Sequence, residues 1–258
     1  MTYVTRIGDA LFGVYAAIVF VICVIFGLFA ALLVPGADRR ATWLANTTRA
    51  VFVLSSTPVE VHGLHNLPAA DCIVVSNHSS YVDGFLLKGF LPARFSFVIK
   101  GEMRNIPPVH FLLRRAGSRF VDRNDSVASS RDARQIVKAA QSGQSLAIFP
   151  EGTFQREPGL MRLRAGAFVA AVRGQMPIVP VVISGTRYVL PAKRYLPRYG
   201  RIRVDILAPI TPDHASYSHH RELAKTVRQR IIAVLDEPDL VDSETLVDSE
   251  TNSSGASK

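Results

Sequence analysis

The stretch "CIVVSNHSSYVDGFLLKGFL" (Cys72–Leu91) changes its hydrophobic period in the middle. Its first six residues form a short apolar run rich in β-branched side chains, which predicts a buried strand. The part from Ser80 to Leu91 has the apolar spacing of a helix, and Ser79 or Ser80 would serve as the N-cap. A strand that turns directly into a helix is the repeating unit of α/β folds.

The same alternation continues on both sides of this unit. Strands are predicted over Val59–Gly63, Phe95–Lys100, Ser118–Arg123, Ser145–Pro150, Pro177–Gly185 and Arg201–Leu207. Helices are predicted over Pro108–Gly117, Ser126–Gly143, Ala165–Gly174 and His219–Leu235. The expected fold is therefore α/β, with a mainly parallel, mixed sheet flanked by helices.

The N-terminal segment has the composition of a membrane helix. No charged residue occurs from Ala10 to Ala37. As a helix, the part up to Val34 would be about 37 Å long, against about 30 Å for the hydrocarbon core of a bilayer. A second apolar stretch, Thr42–Leu54, follows at once, so the segment forms either one spanning helix or a two-helix hairpin embedded in one leaflet.

Basic residues flank this segment unequally. Arg39, Arg40 and Arg49 follow the apolar run, whereas only Arg6 precedes it. The positive-inside bias therefore predicts that the rest of the chain lies on the cytoplasmic side of a plasma or inner membrane.

The composition restricts the partners of the folded part. Lys and Arg number 30 against 21 Asp and Glu, for a net charge of +9. Such a chain suits an anionic lipid membrane, a phosphorylated small molecule or an acidic carrier protein. Nucleic acid is not an expected partner, because the sequence lacks zinc-finger spacing, an RNP-type motif and a basic helix.

No metal or disulfide site is predicted. The two cysteines, Cys23 and Cys72, both lie in apolar runs and are interpreted as small core residues. His62 and His65 form a pair with no third ligand in the sequence nearby, and no H-E-x-x-H motif occurs.

Three regions follow from these patterns. Residues 1–56 are predicted to form the membrane anchor and residues 57–238 the α/β domain. Residues 239–258 contain "LVDSET" twice in tandem, with few apolar residues, and are predicted to be a disordered acidic tail.

His78 and Asp83 are the first candidates for chemistry. Within one helix, a five-residue offset would place them about 140° apart. Across a strand-to-helix turn, however, Asp83 can turn back onto the imidazole, fix its tautomer and leave the other ring nitrogen as a base. The spacing leaves a second interpretation open, in which His78 ends the strand and Asp83 caps the helix.

Three further motifs are weak when each is taken separately. "IFPEGTF" (Ile148–Phe154) places Glu151 and Gly152 at a strand end, where ligands of α/β sheets bind. "GSRFVDR" places Arg123 at another strand end, and a guanidinium suits a phosphate. "IVPV" places Pro180 inside a predicted strand, which predicts a sheet edge or a bulge.

Together, and in this order behind an N-terminal membrane segment, the four motifs resemble those of the glycerolipid acyltransferase family, typified by 1-acylglycerol-3-phosphate acyltransferase. "NHSSYVD" is similar to the N-H-x4-D block of the family, "GSRFVDR" to its G-x-x-F-x-D-R block, "FPEGT" to its F-P-E-G-[ST] block and "IVPV" to its V-P-V block. The resemblance covers about Val59 to Leu207, and the first and third blocks are the specific ones.

The resemblance implies direct acyl transfer by an acyltransferase domain at residues 57–238. His78 would deprotonate the free hydroxyl of a lysolipid and Asp83 would orient His78. The hydroxyl would then attack the thioester of acyl-CoA or acyl-carrier protein, a co-substrate, with no other cofactor. Backbone amides near Ser79 are expected to stabilise the tetrahedral oxyanion.

The resemblance also implies the binding residues. The acceptor headgroup would be bound by Arg123, Glu151, Gly152 and Thr153, and residues around Pro180 would shape an acyl or acceptor pocket. Many phosphatidate-forming members have arginine directly after E-G-[ST], whereas this chain has Phe154 there. Arg156, Arg162 or Arg164 would then replace that arginine, or the acceptor is not lysophosphatidate.

The expected function is O-acylation of a lysolipid, with 1-acylglycerol-3-phosphate as the first acceptor. Alternatives are acylation of another lysolipid, such as lyso-ornithine lipid or a lysophospholipid, and a non-catalytic membrane-binding module. A lipid esterase that uses Ser79 or Ser80 is a further alternative.

Overall fold

The computed structural model describes residues 3–100, 105, 107–115, 117–121 and 126–241. Two antiparallel helices, α1 (Tyr3–Leu33) and α2 (Ala37–Leu54), precede the sheet. Their connection turns at Gly36, which has a φ of 81° that glycine adopts without strain.

The rest of the described chain alternates between strands and helices as predicted. The strands are β1 (Val59–His62), β2 (Ile73–Ser76), β3 (Ser96–Lys100), β4 (Arg119–Val121), β5 (Leu146–Ile148), β6 (Ile178–Ser184) and β7 (Ile202–Ile206). The helices are α3 (Asp83–Phe90), α4 (Pro107–Arg115), α5 (Ser126–Gln141), α6 (Gly166–Gly174), α7 (Thr186–Val189) and α8 (His220–Ile232). The short helix α7 was not predicted.

The seven strands form one mixed sheet in the order β1-β7-β6-β2-β5-β3-β4. Neighbouring strands are parallel except β6 and β7, which are antiparallel. The predicted fold class is therefore confirmed. The strand β2 lies in the middle, with every residue buried, so its carboxyl end opens at the centre of the sheet edge.

Alternate residues of the central strands pack into two apolar layers. Ile73 and Val75 face a layer formed largely with α5, α6 and α8, whereas Cys72 and Val74 face a layer that contains residues of α2 and α3. Period-two alternation thus explains why a short run such as "CIVV" is apolar throughout.

Helix α1 lies against the domain near both of its ends. The ring of Phe12 contacts that of Tyr199 at a centroid distance of 5.6 Å, and Arg115 of α4 donates to the carbonyl of Ala31. One stripe of the helix is therefore buried, whereas many large apolar side chains on its other faces, such as Phe26 and Leu33, are exposed. Among the described residues, Ile7–Leu33 is the helix long and apolar enough to cross a membrane, by length and composition.

Helix α3 begins later than predicted. Its first residue is Asp83 and its N-cap is Val82, so neither Ser79 nor Ser80 caps it through a side chain. Residues 77–82 instead form an irregular turn, because Asp83 itself accepts the backbone N–H groups of Ser79 and Ser80.

Pro180 lies in the interior strand β6, so the edge prediction is wrong. Ile178 of β6 exchanges both backbone hydrogen bonds with Ile210, which lies just after β7. Pro180 is two residues further along β6, so its backbone groups point to the same side of the strand, toward β7. The pairing with β7 is irregular there, because two residues of β6 oppose three between Ile206 and Ile210. Pro180, which has no N–H, therefore lies at a bulge, and the alternative prediction of a bulge is confirmed.

Contacts with the folded domain extend to residues 239 and 240, which belong to the predicted tail. Asp239 binds Arg228, and the N–H of Leu240 donates to the carbonyl of Leu160 over 3.1 Å. The tandem repeat lies almost wholly beyond Val241, outside the described residues.

Candidate active site

The turn between β2 and α3 brings His78 and Asp83 together. Nδ1 of His78 lies 2.9 Å from Oδ2 of Asp83, whose side chain is fully buried. The same oxygen accepts the N–H groups of Ser79 at 2.7 Å and of Ser80 at 2.8 Å. Asp83 therefore fixes both the fold of the turn and the imidazole, and its carboxylate favours the tautomer with the proton on Nδ1.

The His78 ring is enclosed by aromatic side chains. It stacks on Phe149 at a centroid distance of 4.3 Å and meets Phe154 edge-on at 4.6 Å. Tyr81, which is half exposed, contacts Phe154 at 4.8 Å. With Nδ1 occupied by Asp83, Nε2 is the ring nitrogen left to accept a proton beside these apolar walls.

The turn is fastened to β6 and to α7 by polar side chains. The Asn77 amide pairs with both backbone groups of Ile183, at 2.8 and 2.9 Å. Ser79 Oγ contacts Thr186 Oγ1 at 3.0 Å, and Ser80 Oγ donates to the carbonyl of Leu190 at 2.6 Å. Both serines are buried and engaged in holding the turn, which argues against the esterase alternative.

Three backbone amides of this turn have partners: those of Ser79 and Ser80 donate to Asp83, and that of His78 donates to Glu151 Oε1 over 2.6 Å. These three amides hold the turn, and oxyanion stabilisation by amides near Ser79 stays a prediction.

Glu151, which was predicted to bind the headgroup, accepts a backbone N–H group at each of its carboxylate oxygens. It is buried, and its second oxygen, Oε2, accepts the N–H of Met161 at 2.8 Å. Gly152, with a φ of 78°, turns the chain directly after it and donates to the carbonyl of Phe149. Glu151 thus joins the His78 backbone to the loop that follows β5.

Burial raises the pKa of Glu151 to about 7, although two backbone hydrogen bonds and the charge of Arg187 oppose this rise. The folded protein then binds this proton more tightly than the unfolded chain does. Protonated Glu151 therefore contributes to the free energy of unfolding. This contribution is fully present below about pH 4 and is lost as the pH rises through about 7.

We expect Glu151→Gln to flatten the pH dependence of stability. Between about pH 4 and 8, the free energy of unfolding of the wild type should fall by about 3 kcal/mol relative to that of the variant. Urea unfolding of both proteins in detergent over this range measures the difference. Parallel curves for the two proteins would contradict the titration of Glu151.

The other predicted binding residues have different positions. Thr153 is exposed beside Phe154, whereas Pro180 lies within β6 opposite Val75, in the sheet interior. Arg123 lies outside the described residues. Arg156 and Arg164, which follow Phe154 along the chain, are exposed. Among the described residues, no cluster of three or more His, Cys, Asp or Glu side chains could hold a metal ion.

Three residues of this site were not predicted from the sequence: Asn77, Thr186 and Arg187. Asn77 precedes His78 within a motif that was recognised, so its position was the available signal. Thr186 and Arg187 carry no local signal, because they reach the site only through the pairing of β2 with β6.

The sequence also matches known proteins. The sequence model of the family described as Acyltransferase matches residues 58–184. The chain is 28% identical over 226 residues to 1-acyl-sn-glycerol-3-phosphate acyltransferase of Saccharomyces cerevisiae, covering 83% of this chain and 73% of the yeast protein. It is 30% identical over 183 residues to the alpha form from Bos taurus, covering 69% of this chain and 63% of that protein.

A solved structure is similar as well. The 1-acyl-sn-glycerophosphate acyltransferase PlsC of Thermotoga maritima superposes with a TM-score of 0.76 at 25% identity, over 88% of this chain and 94% of that one. The chain spans between about half and three quarters of the length of the curated relatives it matches.

Proposed function

The chain belongs to the glycerolipid acyltransferase family, and we propose that it transfers a fatty acyl group from an acyl thioester to the free hydroxyl of 1-acylglycerol-3-phosphate, giving phosphatidate. The observation that carries this proposal is the 2.9 Å contact between His78 Nδ1 and the buried Asp83 carboxylate. A base held in this way, between the rings of Phe149 and Phe154, suits proton removal from an alcohol.

The reaction balances with the residues of this chain and two substrates. Nε2 of His78 takes the proton of the acceptor hydroxyl as that oxygen attacks the thioester carbonyl. The tetrahedral intermediate collapses by breaking the carbon–sulfur bond, and the imidazolium returns the proton to the departing thiolate. Asp83 stabilises the imidazolium throughout, because its charge lies against Nδ1 in a buried site.

An assay with a panel of acceptors tests the proposal. The full-length protein in membranes would receive labelled acyl-CoA or acyl-carrier protein together with lysophosphatidate, lysophospholipids or lyso-ornithine lipid. Transfer to lysophosphatidate with the highest kcat/KM is the expected result, and the two donors are compared in the same assay. A folded protein that acylates none of these acceptors would instead fit the non-catalytic membrane-binding module.

Phe154 favours a lysolipid other than lysophosphatidate as the acceptor. It occupies the position where many phosphatidate-forming members have arginine, and its ring is packed against His78 and Tyr81. A phenyl ring cannot bind a phosphate. For lysophosphatidate, the phosphate contact therefore falls to exposed cations such as Arg156 or Arg164.

Phe154→Arg separates the two acceptor classes. Because the ring packs on His78, we expect this variant to lower kcat about tenfold for every acceptor and to leave the KM for lysophosphatidate nearly unchanged. Steady-state kinetics with two acceptors measure both constants, and Phe154→Leu is the matched loss of the ring. A KM for lysophosphatidate that falls tenfold with kcat retained would show that position 154 faces the phosphate, and would favour another natural acceptor.

The proposed location is the cytoplasmic face of a membrane that contains anionic lipid. The contacts of α1 with Tyr199 and with α4 support a hairpin that lies along the domain in one leaflet, rather than a helix that leaves the domain to span the bilayer. The exposed side chains of α1 then supply the apolar surface, and Arg39 of α2 lies where it can contact anionic headgroups.

A further inference from the structure

The loop after β5 contributes one of the aromatic side chains that enclose His78. Residues 152–161, here called the active-site loop, place Phe154 against the imidazole. The loop ends at Met161, whose N–H binds the Glu151 carboxylate that also holds the His78 backbone. It contains no helix and only one isolated bridge, so its conformation depends on contacts with other segments.

A segment near the end of the described chain lies on this loop. Residues 237–240, here called the strap, pair with it in parallel: the N–H of Leu160 donates to the carbonyl of Pro238, and the N–H of Leu240 to the carbonyl of Leu160. Leu240 covers Gly159, where an added Cβ would lie 2.4 Å from the leucine side chain. Gly159 also has a φ of 134°, a backbone conformation that favours glycine, so this point of the loop suits glycine on both grounds.

Glu237 of the strap binds the loop together with Arg187 of α7. The guanidinium donates to both carboxylate oxygens, at 2.8 and 2.7 Å, and its third nitrogen donates to the carbonyl of Gln155 at 2.6 Å. Glu237 also accepts the N–H of Gly159 at 2.8 Å. This pair thus holds the loop at two points, one of them adjacent to Phe154.

Asp239 acts in the same way through Arg228 of α8. The Arg228 side chain is almost fully buried and binds both oxygens of Asp239. It also donates to the carbonyls of Leu160 and Met161, at 2.8 and 2.7 Å. Without Asp239, Arg228 would keep a buried charge with no carboxylate partner among its described contacts, which is strongly unfavourable.

Two series of contacts therefore lead from the strap to His78. One runs from Asp239 through Arg228, Met161 and Glu151 to the His78 backbone. The other runs from Glu237 through Arg187 to Gln155, the residue next to Phe154, whose ring contacts the imidazole.

We propose that the strap holds the active-site loop in the conformation that aligns His78, so that Glu237 and Asp239, with Arg187 and Arg228, are positioning residues for the acyl transfer. The inference rests on the proposed function for its kinetic consequence. Its structural consequence, a loop that opens when the strap is released, is independent of which reaction the site performs.

The test compares full-length Glu237→Gln and Asp239→Asn with Glu222→Gln, which removes an exposed carboxylate in the first turn of α8. We expect both strap variants to lower kcat at least tenfold with little change in the KM of either substrate, and the control to match the wild type. Amide hydrogen exchange over residues 152–161 should become faster in the strap variants and remain unchanged in the control.

A pH profile adds a readout that a merely structural strap would not change. Opening of the loop would admit water to Glu151 and so lower its pKa from about 7 toward its ordinary value. We expect the wild-type profile of kcat/KM to have an inflection near pH 7 that Glu151→Gln removes, because Glu151 holds the His78 backbone. In the strap variants this inflection should move to lower pH. Restoration of kcat by Glu237→Asp would support the carboxylate contact.

Leu240→Ala is a further strap variant, to be used if Glu237→Gln and Asp239→Asn do not fold. Leu240 is 44% exposed, so its truncation should be tolerated, and we expect a two- to fivefold lower kcat with faster exchange at Gly159. Wild-type exchange and wild-type kcat in this variant and in any folded strap variant would overturn the proposal. Faster exchange in a protein that transfers no acyl group would instead overturn the proposed function and leave the strap intact.

Discussion

Replacement of His78 by alanine is expected to lower kcat for acyl transfer by about 10²- to 10⁴-fold, because it removes the general base. The structure makes substitution by a neighbouring base difficult. Nδ1 is held by Asp83, and the other walls of the ring are Phe149 and Phe154, which cannot accept a proton. The KM for the lysolipid should change little, since the imidazole acts mainly on the hydroxyl proton.

His62→Ala is the matched control for this variant. His62 lies on the edge strand β1, its side chain is about half exposed, and its closest described carboxylate is Glu60 at 3.8 Å. Its removal should leave the kinetics unchanged. Single-turnover acyl transfer measures the chemical step for both variants, and a His78→Ala protein with near-normal turnover would exclude the general-base role.

The α/β class of the fold was predictable because it depends on local alternation. Runs such as "CIVVSN" carry β-branched residues in short apolar segments, and the helices between them have the longer period. The reversed direction of β7 was not predictable, because "RIRVDIL" has the same pattern in either direction. The place of Pro180 in an interior strand depends on a bulge in the pairing with β7, which the sequence of β6 does not encode.

In the candidate site, too, the local contacts were predictable and the long-range contacts were not. The pairing of His78 with Asp83 was predictable, because both residues lie within one strand-to-helix turn. The position of Glu151 was not, because a glutamate at a strand end faces solvent unless a distant segment covers it. The cover comes from Met161 and, through Arg228 and Asp239, from the far end of the described chain.

Two buried carboxylates, those of Asp83 and Glu151, contact different parts of His78. Asp83 contacts the ring itself and is matched to the charge that the ring acquires in the reaction. Of His78, Glu151 contacts only the backbone N–H, and its other oxygen accepts the N–H of Met161. Substitutions at the two positions should therefore differ in kind: loss of Asp83 should affect kcat most, and loss of Glu151 should affect the order of the turn.

Asp83→Asn is accordingly expected to lower kcat about 10²- to 10⁴-fold while the turn remains folded. The asparagine oxygen can take the place of Oδ2 and keep the bonds to Ser79, Ser80 and His78. The amide then loses the negative charge that stabilises the imidazolium. In addition, its NH2 group falls at the position of Oδ1, which is buried and has no hydrogen-bond partner among the described residues.

The hydrogen bonds that Ser79 and Ser80 donate then lose their charged acceptor, which should also lower the free energy of unfolding by about 1–3 kcal/mol. Glu222→Gln, at an exposed carboxylate in the first turn of α8, controls for the loss of one negative charge and should change neither quantity. Chemical denaturation and single-turnover kinetics on the same preparations separate the two effects. Asp83→Asn with near-wild-type kcat and lowered stability would mean that Asp83 only folds the turn, and that the buried charge has no part in moving the proton.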